Sequence, residues 1–267
     1  MFISACEGEE TNHIHGIAFD PQDGKIYLAT HTGIEILHEG KREKIGKGDY
    51  DVMGFTISSD GIFYASGHVE SLGDVGIRKS TDKGRTWQTV AYEGYDFHDI
   101  SIGHNNPEKI YAWSTPPDEL LTISEDNGKT WRIVTSDFKN TLFTLATDNQ
   151  KVEVLYAGTL FGVFLSEDNG KTWNEIPSLV NVTIVAIADD PLKEGVMYVS
   201  TIKGILKTED NGKTWNEINN GLPDPLKNTP ILLAINPLNT NQLALVNKDE
   251  SIYFFDGKEW NKVNQLR

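Results

Sequence analysis

Imidazole is the side chain best suited to holding a transition-metal ion or moving a proton near neutral pH. Five of the seven histidines, His13, His15, His31, His68 and His98, stand at the ends of short apolar runs. His13 and His15 are two residues apart; in an extended segment they project to the same side, where two neutral rings can chelate one ion. Met53 occupies a position comparable to His15 and His98. A mixed histidine and methionine set would suit a soft ion such as copper, whereas histidine with Asp51, Asp96 or Asp99 would suit zinc or a similar divalent ion, and the residue types leave both open. The same rings could instead fill polar positions, hydrogen-bonded to backbone or carboxylate, or serve as acids and bases. His38 and His104 stand in turn-like contexts and receive no role.

A second chemistry needs paired carboxylates. Cleaving a glycosidic bond takes two, about 5 to 9.5 Å apart, and Asp51, Glu70, Asp74, Asp96 and Asp99 are the candidates to supply them. Two irregular stretches, Glu70-Ser71-Leu72-Gly73-Asp74-Val75 and Ser114-Thr115-Pro116-Pro117-Asp118-Glu119, are candidate walls of a ligand site. Trp113 and Tyr95 lie near them and could stack on a sugar or grip a peptide, with burial as the competing fate of both rings.

Whether these groups meet depends on the elements that carry them, and those elements repeat. Ser80-Thr81-Asp82-Lys83-Gly84-Arg85-Thr86-Trp87 recurs as Ser124 to Trp131, Ser166 to Trp173 and Thr208 to Trp215. The tryptophans are spaced by 44, 42 and 42 residues, the length of one four-stranded propeller blade. Each copy is preceded by three short runs rich in Val, Ile and aromatics and followed by a fourth, punctuated by Gly, Asn and Asp, a pattern of strands and turns with no amphipathic helix. Degenerate copies of the template run from His15 to Ile45 and from Ile231 to Val263, the latter keeping Asp256-Gly257-Lys258-Glu259-Trp260. The chain is therefore expected to be all-β, a six-bladed propeller with four-stranded antiparallel blades over residues 13–267. Within the repeated turn, Asp accepts hydrogen bonds from amides, Gly takes a positive backbone dihedral and Trp covers the blade edge.

This template sorts the histidines. His13, His15 and His98 open first strands, and His31 and His68 close second strands. In an antiparallel pair the start of one strand lies beside the end of the next. All five should gather on one face of the disc, near the channel, with the repeated turns on the other.

The repeat resembles the Asp-box, or bacterial neuraminidase repeat, of sialidases, sortilin-type receptors, a photosystem assembly factor and many bacterial proteins labelled glycosyl hydrolase by similarity. The segments His-Ile-His-Gly, Ala-Thr-His-Thr-Gly, Asp-Val-Met-Gly-Phe, Ala-Ser-Gly-His and Asp-Phe-His are most similar to that last group. The resemblance implies the fold and leaves the function open, because one scaffold hosts unrelated sites. Sialidases bind the substrate carboxylate with three arginines and use a Tyr nucleophile with a Glu partner and an Asp acid/base. Here Arg85 lies inside a box, Arg132 directly follows one and Arg267 is terminal, leaving Arg42 and Arg78, too few for that clamp. The expected role is a binding module with a histidine-rich mouth, and a carboxylate glycosidase on the same face is the alternative.

Charge narrows the partners. Asp and Glu total 39 against 24 Lys and Arg, a net charge of -15, which repels phosphate backbones and excludes nucleic acid as an expected partner. Protein, peptide or glycan ligands remain, and a closed ring is expected to be a monomer. The one cysteine, Cys6, follows Ile3-Ser4-Ala5 in a pattern that resembles the end of a bacterial lipoprotein signal. Only Phe2 and Ile3 could belong to its hydrophobic segment, so residues 1–12 are either the end of a truncated signal or a tether. A lipidated Cys6 would place the chain at the cell envelope or outside the cell; without it the chain would be cytoplasmic.

Overall fold

The computed structural model describes residues 12–47, 50–115 and 119–263. Cys6 and the ends of the chain lie outside the described residues, as do residues 116–118 of the second candidate loop. The repeated turn is built alike in all four copies. Ser80 Oγ accepts from Gly84 N and donates to Asp82 Oδ1, while the Asp82 carboxylate accepts from Thr86 N at 2.9 Å and from Thr86 Oγ1 at 2.6 Å. Trp87 Nε1 then donates to Gly84 O at 3.1 Å, folding the indole over the turn. Ser124 to Trp131, Ser166 to Trp173 and Thr208 to Trp215 repeat these bonds. The turn demands left-handed backbone at two successive residues, which Asn127-Gly128, Asn169-Gly170 and Asn211-Gly212 supply at low cost. Hydrogen bonds from the box threonine hold the carboxyls of Asp82, Asp126 and Asp210 down to about 2.

Around these turns the chain forms six sheets of consecutive antiparallel strands, five with four strands and one with an additional fifth. The first strands are Ile14–Phe19, Asp51–Ile57, Phe97–Gly103, Leu142–Thr147, Ile184–Asp189 and Pro230–Ile235. The second strands are Ile26–Thr30, Phe63–Val69, Asn106–Ser114, Leu155–Thr159, Met197–Thr201 and Leu243–Asn247, and they are the most deeply buried. Six apolar clusters fill the gaps between neighbouring blades. The propeller expected from the repeat is the fold observed. Among the described residues the only helical turn is Pro177–Leu179, and no helix is long and apolar enough to cross a membrane.

One difference bears on the site. The stretch Glu70 to Val75 reads as an irregular loop, yet Gly73–Asp74 folds back as a short strand on blade two, with Asp74 opposite His68. Without alternating apolar residues to bury, the segment gives no strand signal; a turn at Glu70-Ser71, closed by Leu72 N donating to Val69 O, makes the hairpin.

Neighbouring blades are keyed together by a tyrosine. The second position of the second strand is Tyr27, Tyr64, Tyr156, Tyr198 in blades one, two, four and five and Ala244 in blade six, and Tyr111 holds the equivalent place in the longer second strand of blade three. Tyr64 OH donates to Asn127 O in the turn of blade three, and Tyr111 OH donates to Asn169 Oδ1 in the turn of blade four, at 2.6 Å. Blade one has no box; its third and fourth strands join through a tight Glu39-Gly40 turn with both residues at positive φ. Its neighbour, blade six, accordingly has no tyrosine to place beneath it. All four strands of the blade-six sheet come from 230–262. The seam is closed by apolar packing of Ile14, Ile17, Phe19 and Leu28 against Ala234, Ala244, Val246 and Ile252.

On the face that holds the boxes, turns between first and second strands tie blade to blade. Gln22 Nε2 donates to Asp60 O, Asn149 N to Asp189 Oδ2 at 2.8 Å, and Gln150 Nε2 to Pro191 O. Burial pushes the Asp189 carboxyl up to about 8 despite the amide bond.

Both kinds of interaction can be measured. Tyr111→Ala should cost about 3–5 kcal/mol for the lost buried ring, and Tyr111→Phe only about 0.5–1.5 kcal/mol for the hydroxyl bond, read from urea denaturation; equal losses would put the stabilisation in the hydroxyl instead of the ring. For Asp189 the folded-state value lies above the unfolded one of about 3.9. The folded chain then binds more protons in the intervening range, so stability from this group is full below about pH 4 and is lost progressively as pH rises to about 8. In calorimetry, Asp189→Asn should gain melting temperature over wild type increasingly from pH 4.5 to 8, then by a constant amount; a difference independent of pH would refute the buried ionisable group.

Candidate metal centre at the channel mouth

The face opposite the boxes is shaped by one irregularity repeated six times. In every blade the pairing of first and second strands shifts register close to the mouth, leaving His15, Met53 with Gly54, His98, Phe143, Val185 and Ile231 without a partner. A bulge bends its strand and re-aims a side chain. All six side-chain-bearing residues line the central channel. The rim is thus divided: blades one to three present His15, Met53 and His98, and blades four to six present Phe143, Val185 and Ile231. Leu160, Phe161 and Ile202, in the turns between second and third strands of blades four and five, extend the apolar half and are each about half exposed, at 52%, 49% and 46%.

The polar half holds two groups of three ligands. In the first, His15, His31 and Asp51 bring one nitrogen or oxygen each within 4.8 Å of the others, and in the second His68, Asp96 and His98 do the same. His15 Nε2 lies 3.3 Å from the ring nitrogens of His31, and His31 Nδ1 lies 3.0 Å from Asp51 Oδ1. Ligands about 2.0–2.1 Å from a tetrahedral zinc ion stand roughly 3.3 Å apart. In the second group Asp96 Oδ2 is 2.6 Å from His98 Nε2 and 3.6 Å from His68 Nε2. Burial, and after it the neighbouring His31, lowers the pKa of His15, which favours the neutral form of the ring that a metal requires. Asp96 Oδ1 is buried with no hydrogen-bond partner.

Close backbone approach draws these residues together across blades. At Gly54 a Cβ would stand 2.5 Å from Phe97 O, and at Gly67, whose φ is +148, a Cβ would collide with Asp51 O. A side chain at Gly54 would push apart the first strands of blades two and three, and one at Gly67 the paired strands that carry Asp51 and His68. Phe97 N donates to Ser66 Oγ, fixing blade three to blade two beside the second group.

The other sequence candidates are placed differently. His13 leaves the first group and pairs its Nδ1 with Glu250 of blade six at 3.0 Å, while its ring packs edge-on against His31. Glu250 also accepts from Ile14 N, a position that nothing in the repeat pattern marks. Asp74 contacts His68 Nδ1 at 2.6 Å. Asp99 belongs to neither group and accepts from Leu145 N of blade four at 2.7 Å; desolvation raises its carboxyl to about 7. Glu70 is exposed at the hairpin. Trp113 is 7% exposed and packs edge-on against Phe138 inside the blade, presenting no surface to a ligand. Tyr95 is partly exposed and sits edge-on against Tyr92.

No family model and no curated protein matches this chain. Among solved structures it is similar to the GH74 xyloglucanase from Xanthomonas campestris, with a TM-score of 0.64 at 16% identity, covering 94% of this chain and 45% of that one. It is also similar to YCF48 bound to D1 peptide, with a TM-score of 0.58 at 15% identity, covering 96% of this chain and 84% of that one. A chain of the nidogen/laminin complex matches with a TM-score of 0.64 at 13% identity over 86% of this chain and 88% of that one. The chain spans less than half the length of the GH74 chains it matches. At these identities the likeness is one of fold, shared with enzymes and with binding proteins alike.

Proposed function

We propose that this chain is a binding propeller of the Asp-box type that holds transition-metal ions in the histidine half of its mouth and engages a protein, peptide or glycan ligand there. The observation that carries this reading is the grouping of His15, His31 and Asp51, and of His68, Asp96 and His98, each with its ligand atoms within 4.8 Å. Two imidazoles and one carboxylate per site favour zinc or a similar divalent ion, and Met53 on the same rim adds a soft donor that would favour copper. Three protein ligands leave a coordination position for a ligand atom, as in sites that exchange water or substrate. The apolar half of the rim, with Phe143, Val185 and Ile231, supplies contact area beside it.

The Asp-box reading is supported by the four turns with one hydrogen-bond scheme. The glycosidase alternative finds less support. Asp51, Asp74 and Asp96 are engaged with imidazoles and Asp99 with a backbone amide, leaving Glu70, alone and exposed, among the carboxylates considered. The Ile3-Ser4-Ala5-Cys6 pattern supports a lipid anchor and a place at the cell envelope.

Two measurements test this. Plasma mass spectrometry of untagged protein should find a transition metal at near-stoichiometric level, lost in a variant carrying His15→Ala and His98→Ala; no metal after reconstitution with zinc or copper would end the metal reading. Expressed in a bacterium fed radiolabelled palmitate, with a full hydrophobic leader joined ahead of Phe2 to complete the signal, the chain should label at Cys6; label retained in Cys6→Ser, or absent from the leader-joined parent, would end the anchor reading.

A further inference from the structure

The two groups of ligands share blade two but differ in the side chains that stand behind them, a difference that acquires meaning if the metal-binding reading above holds. Asp51 and His68 are directly opposite each other in the pairing of the first and second strands of blade two. Asp51 turns to blade one, where it meets His31, and His68 turns to blade three, where it meets Asp96. One blade therefore contributes a ligand to each of two neighbouring sites.

Behind His68 stands Asp74. The short strand Gly73–Asp74 sets it opposite His68 in register, and Asp74 Oδ1 lies 2.6 Å from His68 Nδ1. That contact puts the ring proton on Nδ1, where it donates to Asp74, and leaves the Nε2 lone pair directed at Asp96 Oδ2, which also receives His98 Nε2 at 2.6 Å. A carboxylate behind a ligating imidazole fixes tautomer and ring orientation and raises the basicity of the ligating nitrogen. Asp96 Oδ1, buried and without a partner, adds an oxygen at the same place that only a cation or a donor would satisfy. In the other group the carboxylate paired with His31 is Asp51, itself one of the three ligands, and among the described residues no further carboxylate lies within ion-pairing distance of His15 or His31.

We propose that the mouth holds two separate divalent-metal sites of unequal affinity. The site of His68, Asp96 and His98 fills first because Asp74, a positioning residue, holds His68 in its ligating orientation. The site of His15, His31 and Asp51 binds more weakly and exchanges its ion. Both suit zinc, with two nitrogens and one oxygen from the protein and a fourth position facing the mouth.

The test is calorimetric titration of zinc into the metal-free full chain, repeated with cobalt(II), whose visible absorption reports tetrahedral coordination. Two phases are expected. Asp74→Ala should weaken the tighter phase 10–100-fold, leave the weaker one unchanged and leave the melting temperature of the metal-free protein unchanged. Asp74→Asn, which keeps an acceptor for the Nδ1 proton, should recover part of the loss. His31→Ala should abolish the weaker phase and preserve the tighter. A single class of equivalent sites, an Asp74→Ala variant with both phases intact, or one whose metal-free form melts earlier would overturn the ordering while leaving metal binding in place. Failure of the wild-type chain to bind either ion would overturn both readings.

Discussion

The packing of a second-strand tyrosine beneath the box turn of the following blade is the interaction on which the rest of the molecule depends. A single four-stranded blade has two apolar faces and no way to bury either alone, so it is stable only between neighbours. Tyr64 and Tyr111 contribute buried ring area and also fix the angle of approach, because each hydroxyl must reach one atom of the next turn. The turn can receive it only if its own backbone is held in the left-handed conformation that the Asp, Thr and Trp bonds enforce. Local turn chemistry and the geometry of the whole disc are thus one constraint.

With the blades set at fixed angles, the inner strands converge on the channel, and the bulge in each of them decides what the mouth displays. A register shift occurs at this end of all six blades, so the scaffold uses one structural device at six positions and leaves side-chain identity free. Blades one to three use that freedom for imidazole and thioether, and blades four to six for Phe143, Val185 and Ile231. A ligand that covers the mouth meets a coordinating half and an apolar half at once, which fixes its orientation as well as its affinity.

The propeller was legible in the sequence because its box is a turn with obligatory residue types at fixed spacing, and four copies of it set the blade length. The gathering of His15, His31, His68 and His98 on one face was legible for the same reason, since strand direction follows from the template. Their division into two groups was not. It depends on which blade Asp51 and His68 turn toward, and residues opposite each other in one sheet give no sequence sign of that. His13 shows the limit of spacing arguments: the two-residue separation from His15 is that of a chelate, but the register shifts at His15 and Glu250, from the far end of the chain, pairs with His13. Asp74 reads as one more acidic loop residue until the hairpin that carries it is seen. The tyrosines were plainly present in the repeat, as Ile-Tyr, Phe-Tyr, Ile-Tyr, Leu-Tyr and Met-Tyr, but the hydroxyl contacts of Tyr64 and Tyr111 are explained only by the next blade, whereas Tyr156 OH donates to Asp148 of its own blade.

The seam between blades one and six has a mechanical meaning. Each blade is made from a continuous stretch of chain, and at five of the six junctions a covalent linker crosses from one blade to the next. At the sixth, among the described residues, side-chain packing and the Glu250 contacts hold the ring, with no shared strand and no tyrosine key. Among the described residues no sheet crosses this junction, so the disc pulled apart would open there like a split washer. Because Glu250 spans that split to reach His13, whose ring rests on His31, the one junction without a linker among the described residues runs directly beside the weaker of the two proposed metal sites.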